Sequence, residues 1–346
     1  MGDSPLIQRE IDVLTSIVED YIAKAQPVGS RTVSKVGPAK LSPASIRNTM
    51  TDLAEKGYLE QPHTSAGRIP TSKAFRLYLD SVMRLRPLPP AMQEMMAASL
   101  GQAGMEIDDI LRRASRVLSS ASGQVCMVLA PRHDLARWRQ IDFVLLRPGL
   151  VMAILVLHGG LVQKRMVAVG EDIASDDLVH FGNYLNHHFK DMTVEEVRAR
   201  IVAEMGAAQQ ALSDLTGQAM RLALDAFSTA EAPEMYVDGT FNMLSQPEFA
   251  DITSMREVLK ALEDRTRLLE VLDKTMSEYR TVVVLGEESQ LSDLAGCGMV
   301  STPYGGQGAA MGAVSVIGPL RMDYAEVVPL VNYTAKLITA MLEKRY

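Results

Sequence analysis

The stretch from Leu41 to Thr71, LSPASIRNTMTDLAEKGYLEQPHTSAGRIPT, decides how the chain begins. Ser42 followed by Pro43 is a helix start, because a serine side chain accepts from a free backbone N–H and proline is tolerated at the first helical position. Gly57 is a stop. The spacing therefore predicts a helix from Pro43 to Lys56. On a wheel of about 100° per residue, Ile46, Met50, Leu53 and Ala54 share one face. Ala44, Ser45, Asn48, Thr51 and Glu55 lie opposite, with Arg47 at the border. A small polar face with a cation in its N-terminal half suits entry into a DNA major groove, where short side chains allow close approach to base edges and phosphates. An ordinary solvated helix would carry the same pattern. The residues that follow favour the sharper reading: Tyr58–Gln61 and Arg68–Pro70 read as two short strands around a polar tip, Pro62–Gly67, which is the shape of a wing.

Upstream, Ile7, Ile11, Leu14, Val18, Tyr21 and Ile22 recur at helical spacing. Ser30 is placed to cap a short helix from Arg31 to Val36, which Gly37-Pro38 stops. Downstream, Thr71 is placed to cap a helix from Ser72 to about Arg86. Helix, helix, recognition helix and wing make a complete winged helix-turn-helix within residues 1–86. The expected DNA contacts are Ser30 and Arg31 on the second helix, Ser42, Ala44, Ser45, Arg47, Asn48 and Thr51 on the third, and His63, Thr64, Ser65 and Arg68 on the wing. Charge agrees once it is divided. The whole chain is at −7, but residues 21–86 hold 11 Lys and Arg against 4 Asp and Glu, and residues 87–346 carry −10. The basic surplus is local to the module that would meet phosphate.

Three runs carry a family resemblance: Pro27-Val28-Gly29-Ser30, Leu41 to Met50, and Gly57 to Thr71. They are similar to the HrcA family of bacterial heat-inducible transcription repressors. The likeness continues through Pro247-Glu248-Phe249, Thr302-Pro303-Tyr304-Gly305 and Ile317 to Tyr324, and so spans nearly the whole chain. Thr49 departs from the acidic residue expected there in many members. The resemblance implies a GAF-like α/β domain carrying an inserted, mainly helical dimerisation domain, an α+β multidomain chain overall. It further implies a homodimer on the inverted-repeat CIRCE operator of chaperone operons, loss of activity on heating, and help from a chaperonin in reaching the active form.

Residues 87–107, with Pro87, Pro89 and Pro90, read as a linker and a weak helix. Strands are expected at Gln124–Ala130, Arg139–Leu146, Val151–His158 and Leu161–Val169, with Gly159-Gly160 turning a hairpin. Largely helical sequence follows from Ser175 to Thr229 and a further helix is expected from Ser254 to about Ser277, before strands return at Thr281–Leu285, Gly298–Thr302 and Gly312–Ile317. A closing helix is expected from Asp323 to Leu342. The natural reading is one sheet split by a helical insertion. It assigns 108–171 and 251–346 to the GAF-like domain and 172–250 to the inserted dimerisation domain.

Other motifs yield less. Gly306, Gly308 and Gly312 miss the dinucleotide fingerprint, and a strand follows where a phosphate-binding helix would start. His180, His187 and His188 lie near Asp176, Asp177 and Asp191, but without HExxH or a cysteine partner they read as surface histidines. No catalytic constellation emerges, so the chain is not expected to be an enzyme, and neither a cofactor nor a metal is expected. Cys126 and Cys297 each lie in apolar sequence and read as buried thiols, not a disulfide framework. The 21 methionines suit adaptable packing or a docking surface for a chaperone. No apolar run approaches the roughly 20 residues that span a bilayer, and the start lacks a signal peptide, so a cytoplasmic protein without membrane contact is expected. A regulator gated by a small molecule in the GAF-like domain is the rival class, and an enzyme built on that domain a third.

Overall fold

A computed structural model describes residues 6–36, 41–62, 67–104, 106–131, 137–158, 162–170, 173–207, 219–224, 234–289, 292–305 and 310–345. The chain opens with helices α1 (Gln8–Lys24), α2 (Ser30–Val36) and α3 (Pro43–Glu55), then strands β1 (Leu59–Glu60) and β2 (Ile69–Pro70), and helix α4 (Ser72–Ser81). Their apolar stripes meet in one core of Val13, Leu14, Ile17 and Val18 against Val33, Ile46, Met50, Leu53, Leu59 and Phe75. Ser42 caps α3, its side chain accepting from Ser45 N at 3.2 Å, and Gly57 supplies the left-handed turn after it at φ 77°. Two expected caps differ. The carbonyl of Gly29 accepts from Thr32 and Val33, so Ser30 is the first helical residue and not the cap. Thr71 precedes α4, but its hydroxyl donates to Gly57 O at 2.8 Å, and α4 ends at Ser81, short of Arg86.

Strands β1 and β2 pair antiparallel, Leu59 with Pro70 and Glu60 with Ile69. Val28 extends this hairpin through a bridge to Arg68, with reciprocal backbone bonds of 2.8 and 2.9 Å. Gly67 makes that bridge possible by space: a Cβ there would stand 2.5 Å from Val28 O.

The expected linker is in large part a packed helix. α5 (Pro90–Gly101) buries Met96 and Leu100 completely and lies against α6 (Ile107–Ser122), because its apolar residues recur at i and i+4. Beyond α6, β3 (Val125–Leu129) joins β7 (Met235–Asp238), β8 (Val282–Leu285), β9 (Cys297–Tyr304) and β10 (Gly312–Pro319) in a five-stranded antiparallel sheet of order β7-β3-β10-β9-β8. Alternate side chains serve opposite faces. Cys126 and Val128 of β3 join the core under α6 and the last helix, α12 (Tyr324–Arg345). Val125, Met127 and Leu129 join a second core under α10 (Ile252–Glu263) and α11 (Arg265–Glu278). The sheet is thus the middle of three layers. A short helix, α9 (Thr240–Leu244), follows β7. Cys126 and Cys297 are buried free thiols, and burial pushes the Cys297 thiol up to about 12.

One split sheet is not what the hydrogen bonds form. β4 (Trp138–Arg147), β5 (Leu150–Leu157) and β6 (Val162–Ala168) make a separate three-stranded meander, with α7 (Ser175–His188) packed against β4 and α8 (Val194–Ala207) following. All of β3 is buried, whereas β5 alternates buried and half-buried residues, which marks a sheet covered on one face only. β3 finds its neighbours in β7 and β10, far along the chain, and β7 was missed as a strand. The largely helical stretch from Ser175 comprises separate helices, and the single helix expected from Ser254 to about Ser277 is broken in two. Asp191 at φ 64° lies between α7 and α8, and Asp264 caps α11, accepting from Arg267 N at 3.3 Å.

Candidate nucleic-acid interface

The outer face of α3 stands clear of the protein. Ser42, Ala44, Arg47, Asn48 and Thr51 are exposed and Ser45 is half-buried, while Ile46, Met50 and Leu53 are buried beneath. Thr51 folds its hydroxyl back onto Arg47 O at 3.1 Å. On α2, Ser30 is half-buried and Arg31 exposed. Thr49, the family departure, belongs to the inner flank: it is buried, and its hydroxyl oxygen accepts from Arg9 Nε and Nη2 at 3.1 and 2.7 Å. The departure therefore touches the packing of α3 on α1 and not its outer face.

A second tie holds the other end of α3. Lys56 Nζ donates to both oxygens of the buried Glu10, at 2.7 and 2.9 Å. That hydrogen bond, with a further one from Ile7 N, keeps the Glu10 carboxyl below the usual carboxylate range despite its burial. Lys73 Nζ donates to Lys56 O at 3.1 Å and lies 4.5 Å from the centre of the Tyr58 ring. The Lys73 ammonium thus sits at the negative end of the α3 dipole.

Arg68 donates from Nη1 to Gln61 Oε1 at 2.7 Å, across the base of the wing. Its backbone bridge to Val28 sets it beside the start of α2, so the strand cation, Ser30 and Arg31 are brought to one side of the module. His63, Thr64 and Ser65 lie outside the described residues. Sequence reasoning missed Gln61, Arg9, Glu10 and Lys56. Arg9 and Glu10 carry no local signal, since they sit in an acidic first stretch whose partners are some 40 residues away.

The module is joined directly to the three-layered body. Arg76 of α4 pairs with Glu288 and donates to Val283 O of β8 at 2.7 Å. Arg86 pairs with Asp323, and its backbone N–H donates to Ala325 O at 3.0 Å. A cleft of about 640 Å³ opens at the junction, lined by Ile22, Tyr78 and Arg84 from the module and by Gln246, Arg321 and Met322 from the body.

Among the described histidines, the rings of His187 and His188 meet edge-on at 5.3 Å between centroids. His188 contacts Tyr184 O at 2.9 Å, and His158, not His180 or His187, meets Asp191 at 3.0 Å. Among the described residues no group of three or more His, Cys, Asp or Glu could hold a metal ion. No helix of the described residues is long and apolar enough to cross a membrane.

Fold and site together define a mixed α/β protein with a basic helical module at its N-terminus. The family model described as the HrcA protein C-terminal domain matches residues 108–328, which begins within α6. A "Heat-inducible transcription repressor HrcA" of Nitratidesulfovibrio vulgaris (strain Miyazaki F) is 46% identical over 98% of this chain and 96% of its own length. Relatives of the same name from Syntrophobacter fumaroxidans and Geobacter sulfurreducens are each 39% identical, over 99% and 96% of this chain. The chain belongs to the HrcA family. Among solved structures, a crystal structure of a hypothetical protein at 2.2 Å resolution shares the fold, with a TM-score of 0.59, 22% identity and 99% coverage of both chains.

Proposed function

We propose that the chain is a sequence-specific DNA-binding repressor of chaperone operons, acting as a dimer on the inverted-repeat CIRCE operator and released on heating. The observation that carries this reading is α3: a buried apolar face seats it on α1, and Arg47, Asn48, Ala44 and Ser42 stand exposed on the other side. In this reading residues 1–86 are a winged helix-turn-helix, α3 enters the major groove, and Ser45, Thr51, Ser30, Arg31, Arg68, His63, Thr64 and Ser65 complete the contact. The five-stranded layer is the GAF-like domain. In place of the 172–250 expected from sequence, an insertion over about residues 130–234 is the reading supported by β3 and β7 being neighbours in one sheet.

That insertion is the dimerisation domain. The outer face of its meander carries Val144, Met152 and Met166 in one cross-strand row and Gln140, Val156 and Val162 in another. Val144, Val162 and Met166 are exposed, Met166 to 72%. A row of Asp142, Ile154 and Lys164 lies between them. A two-fold axis along β5 would set Asp142 against the same row's lysine in a second copy, a self-complementary arrangement. Two modules held this way meet two half-sites on one face of the duplex. The repressor acts by occupancy in the cytoplasm, without catalysis or cofactor, and a chaperonin that captures exposed apolar surface would return it to the active form.

A gel shift with a chaperone-operon inverted repeat tests the reading. The duplex should be retarded at growth temperature, a scrambled repeat should not, and heating should release it. Equal retardation of both duplexes would refute sequence-specific repression.

A further inference from the structure

A helix lying in a major groove has a phosphate chain on each side, so a recognition helix gains from a cation on both flanks. Arg47 supplies one. Thr49 points about 160° away from Arg47 on the helical wheel, toward the other flank, and is itself buried and uncharged. What stands at that flank is Arg9, which belongs to a different helix. Its guanidinium is gripped through Nε and Nη2 by the Thr49 hydroxyl, while the residue as a whole is exposed. Among the described residues no carboxylate pairs with it: the neighbouring Glu10 is turned inward onto Lys56, and Asp12 accepts from Gln8.

We propose that Arg9 is a DNA-backbone contact, held by Thr49 at the flank of α3 opposite Arg47 so that its remaining N–H groups meet a phosphate. The inference rests on the reading of α3 as the recognition helix. The fit is chemical. A guanidinium presents N–H groups on two edges, so that the edge holding the neutral Thr49 oxygen leaves Nη1 and its positive charge available to an anion. A carboxylate at position 49 would neutralise that charge, whereas a threonine only aims it. Glu10, the next residue on α1, holds Lys56 two turns beyond Thr49 at the end of α3, and this second tie helps to fix the angle between α1 and α3 and with it the place where Arg9 emerges.

The test is a salt series read by fluorescence anisotropy, using the full chain and a labelled duplex carrying the chaperone-operon repeat, with a random duplex of equal length beside it. Arg9→Gln should make the slope of log K against log salt shallower by about 0.9 for each bound module, on both duplexes alike. A fourfold rise in salt should correspondingly shrink the advantage of the unsubstituted chain by about 3.5-fold per module. Arg9→Lys keeps the charge and should restore the slope while losing part of the affinity, because an ammonium cannot grip Thr49 and reach outward at once. A packing role alone would lower the melting temperature and leave the slope unmoved. An unchanged slope in Arg9→Gln, or a slope that Arg9→Lys fails to restore, overturns the proposal. If the unsubstituted chain binds neither duplex, the repressor reading fails first and takes this inference with it.

Discussion

Asn186 is the residue whose loss should cost the meander most. Its Oδ1 accepts from Trp138 Nε1 at 3.1 Å and from Ile141 N at 2.7 Å, and its Nδ2 donates to Ile141 O at 2.9 Å. The side-chain amide therefore stands in for a neighbouring strand along the outer edge of β4, just past the bulge between Trp138 and Gln140 and beyond the point where Asp191 and Met192 bond to Trp138. The amide's orientation is forced, since two N–H donors converge on one of its atoms. Asn186→Ala would take this partner away from two donors and one acceptor on Trp138 and Ile141, both 0% exposed. At about 1–3 kcal/mol for each buried group left unpaired, and some relief from water at the edge, the cost is about 3–5 kcal/mol. With a urea m-value of about 2 kcal/mol/M for the meander, the unfolding midpoint should fall by about 2 M. Trp138 is the sole tryptophan in the chain, so its fluorescence reports on this sheet and no other. Asn186→Asp keeps the acceptor but sets an oxygen against Ile141 O, and should recover part of the loss at acid pH, where the protonated carboxyl donates again. A midpoint within about 0.5 M of the unsubstituted chain would show that Asn186 does not carry the edge.

Arg47→Ala and Asn48→Ala should each weaken operator binding by about 1–3 kcal/mol with an unchanged circular dichroism spectrum, and unaltered affinity in both would remove this face from the interface. Gly67→Ala would drive a Cβ against Val28 O and Pro27 C, at 2.5 and 2.8 Å. It should cost about 1–3 kcal/mol in thermal unfolding and weaken DNA binding as the Val28–Arg68 bridge opens, and a variant that melts like its parent would contradict the steric account. Thr275 is completely buried, and among the described residues its hydroxyl meets no hydrogen-bond partner. Thr275→Val, of nearly equal shape, should therefore stabilise by about 1 kcal/mol in a denaturant titration, and a loss of stability would mean that the hydroxyl is satisfied in solution.

Local chemistry made the N-terminal module legible before any coordinates. Ser42, Pro43 and Gly57 bound α3 by capping rules that act within a few residues, and the 3.6-residue period separated Ile46, Met50 and Leu53 from Ala44, Asn48 and Thr51. The strands at 282–285, 297–304 and 312–319 were likewise announced by short apolar runs between turn residues.

Pairing across long distances could not be read the same way. An apolar run shows that a strand is buried but carries no label for its partner, so β3 and β4 looked like neighbours although each belongs to a different sheet. The proline-rich start of α5 resembled a linker because the surface that buries Met96 and Leu100 lies on α6 and α12, elsewhere in the chain. The same reason hid half of the candidate site. Which face of α3 is polar is a property of its own residues, but Arg9 reaching Thr49, Glu10 holding Lys56 and Gln61 holding Arg68 are bonds between elements, set only when burial of the apolar stripes brings those elements together.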